Sequence, residues 1–129
     1  MKNNQDQRLQ EKTKEHILSY IHEVEKLVSE EFIFRNQKIS QGDIAEKLCV
    51  PTSHIVYLFK YHSKISFSEF RMNSRIHDAI VLLEDGFLNS KTFDSLAHTT
   101  GFSSYNPFFS AFKKITTLSP QEYLKQKMK

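Results

Sequence analysis

Apolar residues recur at helical spacing through most of the chain. In residues 9–31, Ile17, Ile21, Val24 and Val28 follow one another at steps of four, three and four. This spacing places them on one face of an amphipathic helix whose other face is charged. The same four positions fit a short heptad seam, so the predicted helix either packs on its own domain or pairs with a second copy of itself.

Six more helices follow, and most of them begin at a capping residue. Ser40 precedes the first, Ser66 and Ser119 begin capping boxes, and Pro51 and Gly86 indicate helix ends. No stretch alternates as a strand does. The sequence predicts an all-α fold with about seven helices. The predicted spans are 40–62 for two short helices and their turn, 66–85 for one long helix, 92–115 for a second short pair and 120–127 for the last helix.

The second part of the chain repeats the first. Both copies consist of a helix, a turn, a second helix and the capped start of a third. At an offset of 52, Ile44-Ala45 matches Leu96-Ala97. At an offset of 53, Ile55 matches Phe108, Phe59-Lys60 matches Phe112-Lys113, Ile65-Ser66 matches Leu118-Ser119, and Glu69-Phe70 matches Glu122-Tyr123.

Each copy has the features of a helix-turn-helix. A small residue, Ala45 or Ala97, stands where two helices cross closely, and a turn residue, Cys49 or Gly101, needs unusual backbone angles. The 19 residues from Ser66 to Glu84 would span ~28 Å as a helix, near the ~34 Å pitch of the duplex. Two second helices at that separation suit successive major grooves of DNA.

Composition narrows the class of protein. With 129 residues, 39% of them hydrophobic, and only 3 glycines and 3 prolines, the chain suits one domain or two small lobes rich in helix. The net charge is +3, and the excess lies in residues 103–129, which hold five basic side chains and one acidic one. A basic end suits a polyanion, and it is also typical of a solubilising tail.

The cellular setting is predicted from what the sequence lacks. Its apolar runs are too short to cross a bilayer, and residues 1–10 are too polar for a secretory signal, so we expect a cytoplasmic protein without membrane contact. The single cysteine, Cys49, cannot form an internal disulfide. We expect it to be a small buried hydrophobe in a reducing compartment.

Two motifs and their separation identify a family. The chain resembles the DNA-binding domain of the AraC/XylS family of bacterial transcription regulators from about Ile39 to Tyr123. The residues that carry the resemblance are Leu96-Ala97, Gly101-Phe102, Phe108, Phe112-Lys113-Lys114 and Ser119-Pro120-Gln121-Glu122-Tyr123, with Arg75-Ile76-His77-Asp78-Ala79 in the long helix.

The resemblance implies two helix-turn-helix subdomains joined by a central linker helix, sequence-specific binding of double-stranded promoter DNA, and activation through RNA polymerase. It divides the chain into an N-terminal helix and lead-in, 1–37, and a DNA-binding domain, 38–129. Residues 25–36 resemble the lead-in of members fused to large sensory regions, so we expect a fragment of a larger regulator. A homodimer would form through the N-terminal helix or through that missing region.

The sequence departs from the family pattern at two kinds of position. Lys64 and Thr117 stand where members commonly have glycine, so we expect adjusted helix ends there. The recognition faces are poor in arginine and glutamine, which argues against the family's direct readout of guanine.

Candidate DNA contacts lie opposite the apolar faces of the two second helices. Val56 and Phe109 suit a thymine methyl, Asn106 suits adenine, and the lysines suit phosphate. Tyr57, Ser53 and Ser110 suit either bases or phosphates, and Phe109 equally suits a protein contact. The full set is Ser53, Val56, Tyr57 and Lys60 on the first helix, and Tyr105, Asn106, Phe109, Ser110, Lys113 and Lys114 on the second.

Other functional classes find little support in the sequence. The six histidines form no HExxH pair and have no neighbouring cysteine cluster, and no glycine-rich phosphate loop exists. We therefore expect no catalytic residues, no metal and no cofactor. The alternative function is a helical interaction or dimerisation module that does not itself bind DNA.

Overall fold

The computed structural model describes the backbone of residues 4–127 and the side chains of residues 16–127. Within this part of the chain the fold is all-α, as predicted, with seven α-helices, two 3-10 turns and no strand. The helices are α1 (Asn4–Glu31), α2 (Gln41–Leu48), α3 (Thr52–Tyr61), α4 (Phe67–Glu84), α5 (Phe93–Thr99), α6 (Tyr105–Thr116) and α7 (Pro120–Lys127), and the 3-10 turns are Ile33–Arg35 and Phe87–Asn89.

The predicted capping residues begin the helices. Ser40 and Asp43 form a reciprocal capping box, in which Ser40 N donates to Asp43 Oδ2 at 2.9 Å and Asp43 N donates to Ser40 Oγ at 3.1 Å. Ser119 and Glu122 form a second reciprocal box before α7. Thr92 Oγ1 accepts the amide hydrogen bond that begins α5. Local side chains thus set the starts of α2, α5 and α7.

The chain divides into two compact units. The first contains the residues up to Ile33 together with Lys38–Phe70, and the second contains Phe34–Gln37 together with the residues from Arg71 onward. Helix α4 therefore begins in the first unit and continues into the second. Phe34–Gln37 belongs to the second unit although the chain on both sides of it belongs to the first.

In the first unit, α1 and α2 both pack on α3. The most buried residues of α1 are Tyr20, Val24 and Leu27, while Ile17, Ile21 and Val28 of the predicted stripe are half-buried. The apolar stripe of α1 therefore packs within its own unit, and among the side chains of this helix that the structure describes the exposed large apolar residue is Leu18. The sequence allowed two arrangements of the stripe, and in this structure it packs within its own chain.

The second unit is organised around aromatic rings. Phe108 is fully buried and lies 5.5 Å from Phe102 and 5.7 Å from Phe112, between ring centroids. Phe112 in turn meets Tyr123 of α7 edge to face at 5.5 Å. Ala97 is completely buried where α5 packs on α6, as expected for a close helix crossing. These contacts fix the orientation of α6 in its unit.

Both inter-helix turns use a left-handed residue. Cys49 has φ +57° and Gly101 has φ +106°, which confirms that these positions need unusual backbone angles. The prediction that Cys49 is buried is wrong, because its side chain is exposed. The left-handed turn directs the Cys49 side chain away from the core, so burial does not explain a cysteine there.

The residues that replace glycine behave differently in the two copies. Thr117 ends α6 with φ +68°, as expected of an adjusted helix end, whereas Lys64 has no positive φ and α3 already ends at Tyr61. In both copies a hydroxyl bridges the turn: Ser63 Oγ donates to Ile65 O at 2.7 Å, and Thr116 Oγ1 donates to Leu118 O at 3.0 Å. The repeat therefore extends to side-chain hydrogen bonds.

A buried arginine organises the second unit. Arg75 of α4 donates from Nε to Phe34 O at 2.7 Å and from Nη2 to the carbonyls of Asn36 and Gln37 at 3.0 and 3.2 Å. Burial, with the charge of Arg71 adding to it, lowers the pKa of Arg75 to about 10, so the group stays charged at neutral pH.

A second arginine holds the same segment. Arg35 donates two hydrogen bonds of 2.8 Å to the carboxylate of Asp78, one turn beyond Arg75 on α4. The hydrogen bond to Asp78 raises the pKa of Arg35. A planar guanidinium matches a carboxylate in two parallel hydrogen bonds, which fixes direction as well as distance. Together the two arginines attach Phe34–Gln37 to α4.

The Arg75→Met variant should lower the free energy of unfolding by roughly 3 kcal/mol, the scale for removing a charged donor from buried acceptors. The incoming methionine retains the apolar stem but donates to none of the three carbonyls. Urea unfolding measures the change. His77→Met places the same residue on the exposed side of α4 and should change stability little; equal losses in the two variants would contradict a structural role for Arg75.

Substitutions at the two turn residues should have opposite effects. Cys49→Gly should raise the free energy of unfolding by about 1 kcal/mol, because glycine adopts a left-handed backbone without strain. Gly101→Ala should lower it by about 3 kcal/mol, because a Cβ there would overlap Phe34 O and lie 2.7 Å from Arg75 Nε. Thermal or urea unfolding measures both. Cys49→Ala is the matched control for the first change, and a stability gain as large as that of glycine would refute the backbone explanation.

Candidate nucleic-acid interface

The exposed face of α3 is narrow and carries no acidic residue. Thr52, Ser53, Val56 and Lys60 follow the spacing of one helical face, and all four are exposed. The side chain of Val56 is 40% exposed. Lys60 Nζ lies 5.1 Å from the ring centroid of Tyr61, a cation-π contact that holds the ammonium beside the helix.

Tyr57 is the sequence candidate that the structure corrects. Its side chain is only 7% exposed, and its ring contacts those of Tyr61 and His62 at 4.6 and 5.5 Å. The expectation that Tyr57 lies on the outer face is therefore wrong. Because two helices, α1 and α2, pack on α3, burial extends around more of its circumference than the apolar residues Ile55, Leu58 and Phe59 alone indicate.

The exposed face of α6 is wider. Asn106, Ser110, Lys113 and Lys114 are all exposed, and Tyr105 and Phe109 lie half-buried at its edge. Like α3, α6 contains no aspartate or glutamate. Both helices thus present faces without a negative charge of their own, which favours the approach of a phosphate backbone.

The two faces share a register set by the internal repeat. At the offset of 53, three of the matched exposed or partly exposed pairs are Ser53 with Asn106, Val56 with Phe109, and Lys60 with Lys113. Each face therefore has a small polar group, then an apolar group three residues later, then a lysine four residues after that.

One side of α3 is covered where the matching side of α6 is open. His54 Nδ1 and Tyr20 OH form a 2.8 Å hydrogen bond that joins α3 to α1. The residue of α6 that matches His54 is Pro107, which is exposed, and the residue that matches the buried Tyr57 is the exposed Ser110. Packing of α1 therefore accounts for the narrower face of the first helix.

Gln121 is a positioning residue that sequence reasoning missed. From the first turn of α7, its Nε2 donates a 2.6 Å hydrogen bond to Tyr105 OH at the start of α6. The ring of Tyr105 then contacts those of Phe93 and Phe109 at 6.4 and 5.9 Å. The contact joins residues 16 apart across two helices, and no local pattern in the sequence indicates it.

Glu122 also lies close to this face. Hydrogen bonds from Ser119 lower the pKa of its carboxyl group, and the charge of Lys113 lowers it further, so Glu122 is ionised at neutral pH. Lys113 thus has one negative neighbour on α7, while Lys114 follows it on the exposed side of α6.

Among the described residues, no three side chains of histidine, cysteine, aspartate or glutamate lie where they would hold a metal ion. In the same part of the chain, no helix combines the length and apolar character that crossing a membrane requires.

Residues 44–126, well over half of the chain, match the protein-family model described as "Helix-turn-helix domain". Among curated proteins, the chain is 30% identical over 88 residues to an uncharacterised HTH-type transcriptional regulator, YijO, of Escherichia coli, which covers 68% of this chain and 30% of that protein. It is 26% identical over 110 residues to the melibiose operon regulatory protein of the same species, covering 85% of this chain and 34% of that one. The chain thus spans about a third of the length of these relatives.

Two solved structures are similar to the chain. One is the C-terminal domain of AraT, a response regulator from Geobacillus stearothermophilus, with a TM-score of 0.61 and 25% identity over 72% of this chain and 74% of that one. The other is the C-terminal domain of the two-component response regulator yesN from Fusobacterium nucleatum, with a TM-score of 0.58 and 20% identity over 95% and 99%. The second likeness, at its lower identity, supports the fold alone.

Proposed function

Because the chain belongs to the AraC-type helix-turn-helix family of DNA-binding transcription regulators, we propose that α3 and α6 are recognition helices that enter the major groove of promoter DNA. The family is one of regulators and not of enzymes. The observation that carries the proposal is the shared pattern of the two exposed faces, in which a polar residue, an apolar residue and a lysine recur in the same register without any acidic side chain.

Lysines supply the contacts to phosphate in this proposal. Lys60 and Lys113 occupy matched positions on the two helices, and Lys114 adds a further charge beside the second. Phosphate contacts of this kind fix the helix in the groove and make affinity depend on salt, but they do not select a sequence.

Base contacts fall to the other exposed residues. Asn106 has both a donor and an acceptor on its amide, the pair that the major-groove edge of adenine requires. Ser53 and Ser110 suit a base or a phosphate. Tyr105 has a narrower role than its residue type indicates, because its hydroxyl already accepts from Gln121 and its ring is half-buried.

The proposal further specifies that the two helices occupy two successive major grooves. Its supports are the internal repeat and the single continuous helix α4, whose 18 residues extend about 27 Å. Binding of a bacterial promoter implies a cytoplasmic location. Contact with RNA polymerase and formation of a homodimer stay predictions from the family resemblance.

Two variants of α6 should separate phosphate from base contacts. Lys113→Ala should weaken binding to all duplexes alike and reduce by about one the slope of log affinity against log salt concentration. Asn106→Ala should remove about 1–3 kcal/mol of discrimination at one adenine and leave binding to unrelated sequences unchanged. Titration of a selected duplex and of a scrambled duplex at several salt concentrations measures both effects.

Lys127→Ala is the matched lysine control for this experiment, since its ammonium lies 3.6 Å from Glu84 on a different helix and does not belong to either recognition face. It should leave affinity and salt slope unchanged. A salt-insensitive interaction with every duplex, or unchanged binding in both α6 variants, would contradict recognition through α6.

The length of the protected DNA tests the use of two grooves. We expect one chain to protect two adjacent turns on the same face of the duplex, with centres one helical repeat apart. Hydroxyl-radical footprinting at a protein concentration that gives one chain per duplex measures this directly. Protection of a single turn under these conditions would reject the two-groove arrangement and leave recognition by one helix in place.

A further inference from the structure

One matched pair of residues on the two recognition helices is apolar without being buried. Val56 is 40% exposed and Phe109 is half-buried, and they align at the repeat offset of 53. The other matched apolar pairs of α3 and α6 lie in the cores of their units. Those buried pairs are Ile55 with Phe108, Leu58 with Ala111 and Phe59 with Phe112.

The packing of each unit does not explain this pair. A single exposed valine on a surface helix is ordinary and needs no special account. An apolar side chain at the same position of both copies, on the face opposite the core, is a shared property of the two faces. It indicates a partner with an apolar group at one fixed place.

The neighbours of each side chain show where that partner lies. Val56 is three residues after Ser53 and four before Lys60, so it occupies the middle of the exposed face. Phe109 has the same sequence spacing from Asn106 and Lys113, and its half-buried side chain lies at the edge of the exposed face of α6. When the lysines contact phosphates at the groove wall, the apolar side chain between the polar and basic residues faces the base edges.

Phe109 is held ready for such a contact. Its ring lies 5.9 Å from that of Tyr105, and Tyr105 is fixed by the hydrogen bond from Gln121. This contact restricts the phenyl ring on one side before binding, which reduces the conformational entropy that it loses on binding.

The major groove offers one apolar group among its base edges, the C5-methyl of thymine. The residues that most often read guanine there are arginines, and neither α3 nor α6 contains one. The chemistry of the faces thus favours a contact with thymine over one with guanine.

We propose that Val56 and Phe109 are specificity-determining residues, each packing on the C5-methyl group of a thymine at the matched position of its half of the DNA site. This inference rests on the proposed function, since it requires that α3 and α6 enter the major groove. It adds that contact with a methyl group, and not a hydrogen bond, selects the base at that position.

Deoxyuridine in place of thymine tests the proposal, because it removes the methyl group and leaves every hydrogen-bonding atom of the base pair in place. The probes are duplexes that the protein itself selects from a random pool. Each thymine is replaced in turn, and affinity is measured by titration. At one thymine in each half of the site, we expect the replacement to weaken binding about fourfold, the effect of withdrawing one methyl-sized apolar group from contact.

The variants Val56→Ala and Phe109→Ala assign the two thymines. Val56→Ala should abolish the thymine-over-deoxyuridine preference in one half of the site and leave the other half unchanged, and Phe109→Ala should do the reverse. Each variant is the control for the other. The ratio of the affinities for the thymine and deoxyuridine duplexes is taken within one variant, so a partly unfolded fraction affects both values equally. Phe109→Leu, which retains an apolar side chain, should retain a preference for thymine.

The outcomes separate the inference from the proposed function. Salt-sensitive binding in which no thymine shows the preference overturns the methyl contact and leaves recognition of DNA standing. A preference that survives unchanged in both alanine variants also overturns it. Failure to select any duplex from the pool, with no salt-sensitive complex, overturns the proposed function itself.

Discussion

A left-handed residue between two crossing helices is the constraint on which the fold of both units depends. Cys49 and Gly101 turn the backbone with φ of +57° and +106°. The turn brings the second helix of each pair back across the first at Ala45 or Ala97, both of which are buried. Once that crossing is fixed, the apolar residues of the second helix face the core and its opposite side remains exposed. The candidate interface is therefore a consequence of the turn.

In the second unit the same turn leaves room for a buried charge. Because Gly101 has no Cβ, the guanidinium of Arg75 and the carbonyl of Phe34 both approach its backbone closely. Arg75 then satisfies three carbonyls within the four-residue segment Phe34–Gln37. A lysine has no comparable planar fork with which to reach several fixed acceptors from one direction, so arginine is the residue suited to this position.

Local signals in the sequence predicted most of the fold. The capping residue Ser40, the capping box at Ser119, the helical periodicity and the internal repeat depend on residues within a few turns of one another, and the structure agrees with them. Tyr57, Cys49 and the partners of Arg75 were not predictable in this way. Tyr57 is buried although it lies on the face opposite the apolar residues of its own helix, and the acceptors of Arg75 lie 38 to 41 residues away in the chain.

The asymmetry of the two faces bears on how the chain would discriminate between DNA sequences. α6 exposes Ser110 where α3 has the buried Tyr57, and it has the basic Lys114 where α3 has the exposed Tyr61. A net charge of +3 provides only a weak general attraction for DNA. Contacts to base edges must then supply a larger share of the affinity than in a strongly basic protein, and the wider face of α6 has more groups with which to make them. The second helix is thus better equipped than the first to determine which sequence is bound.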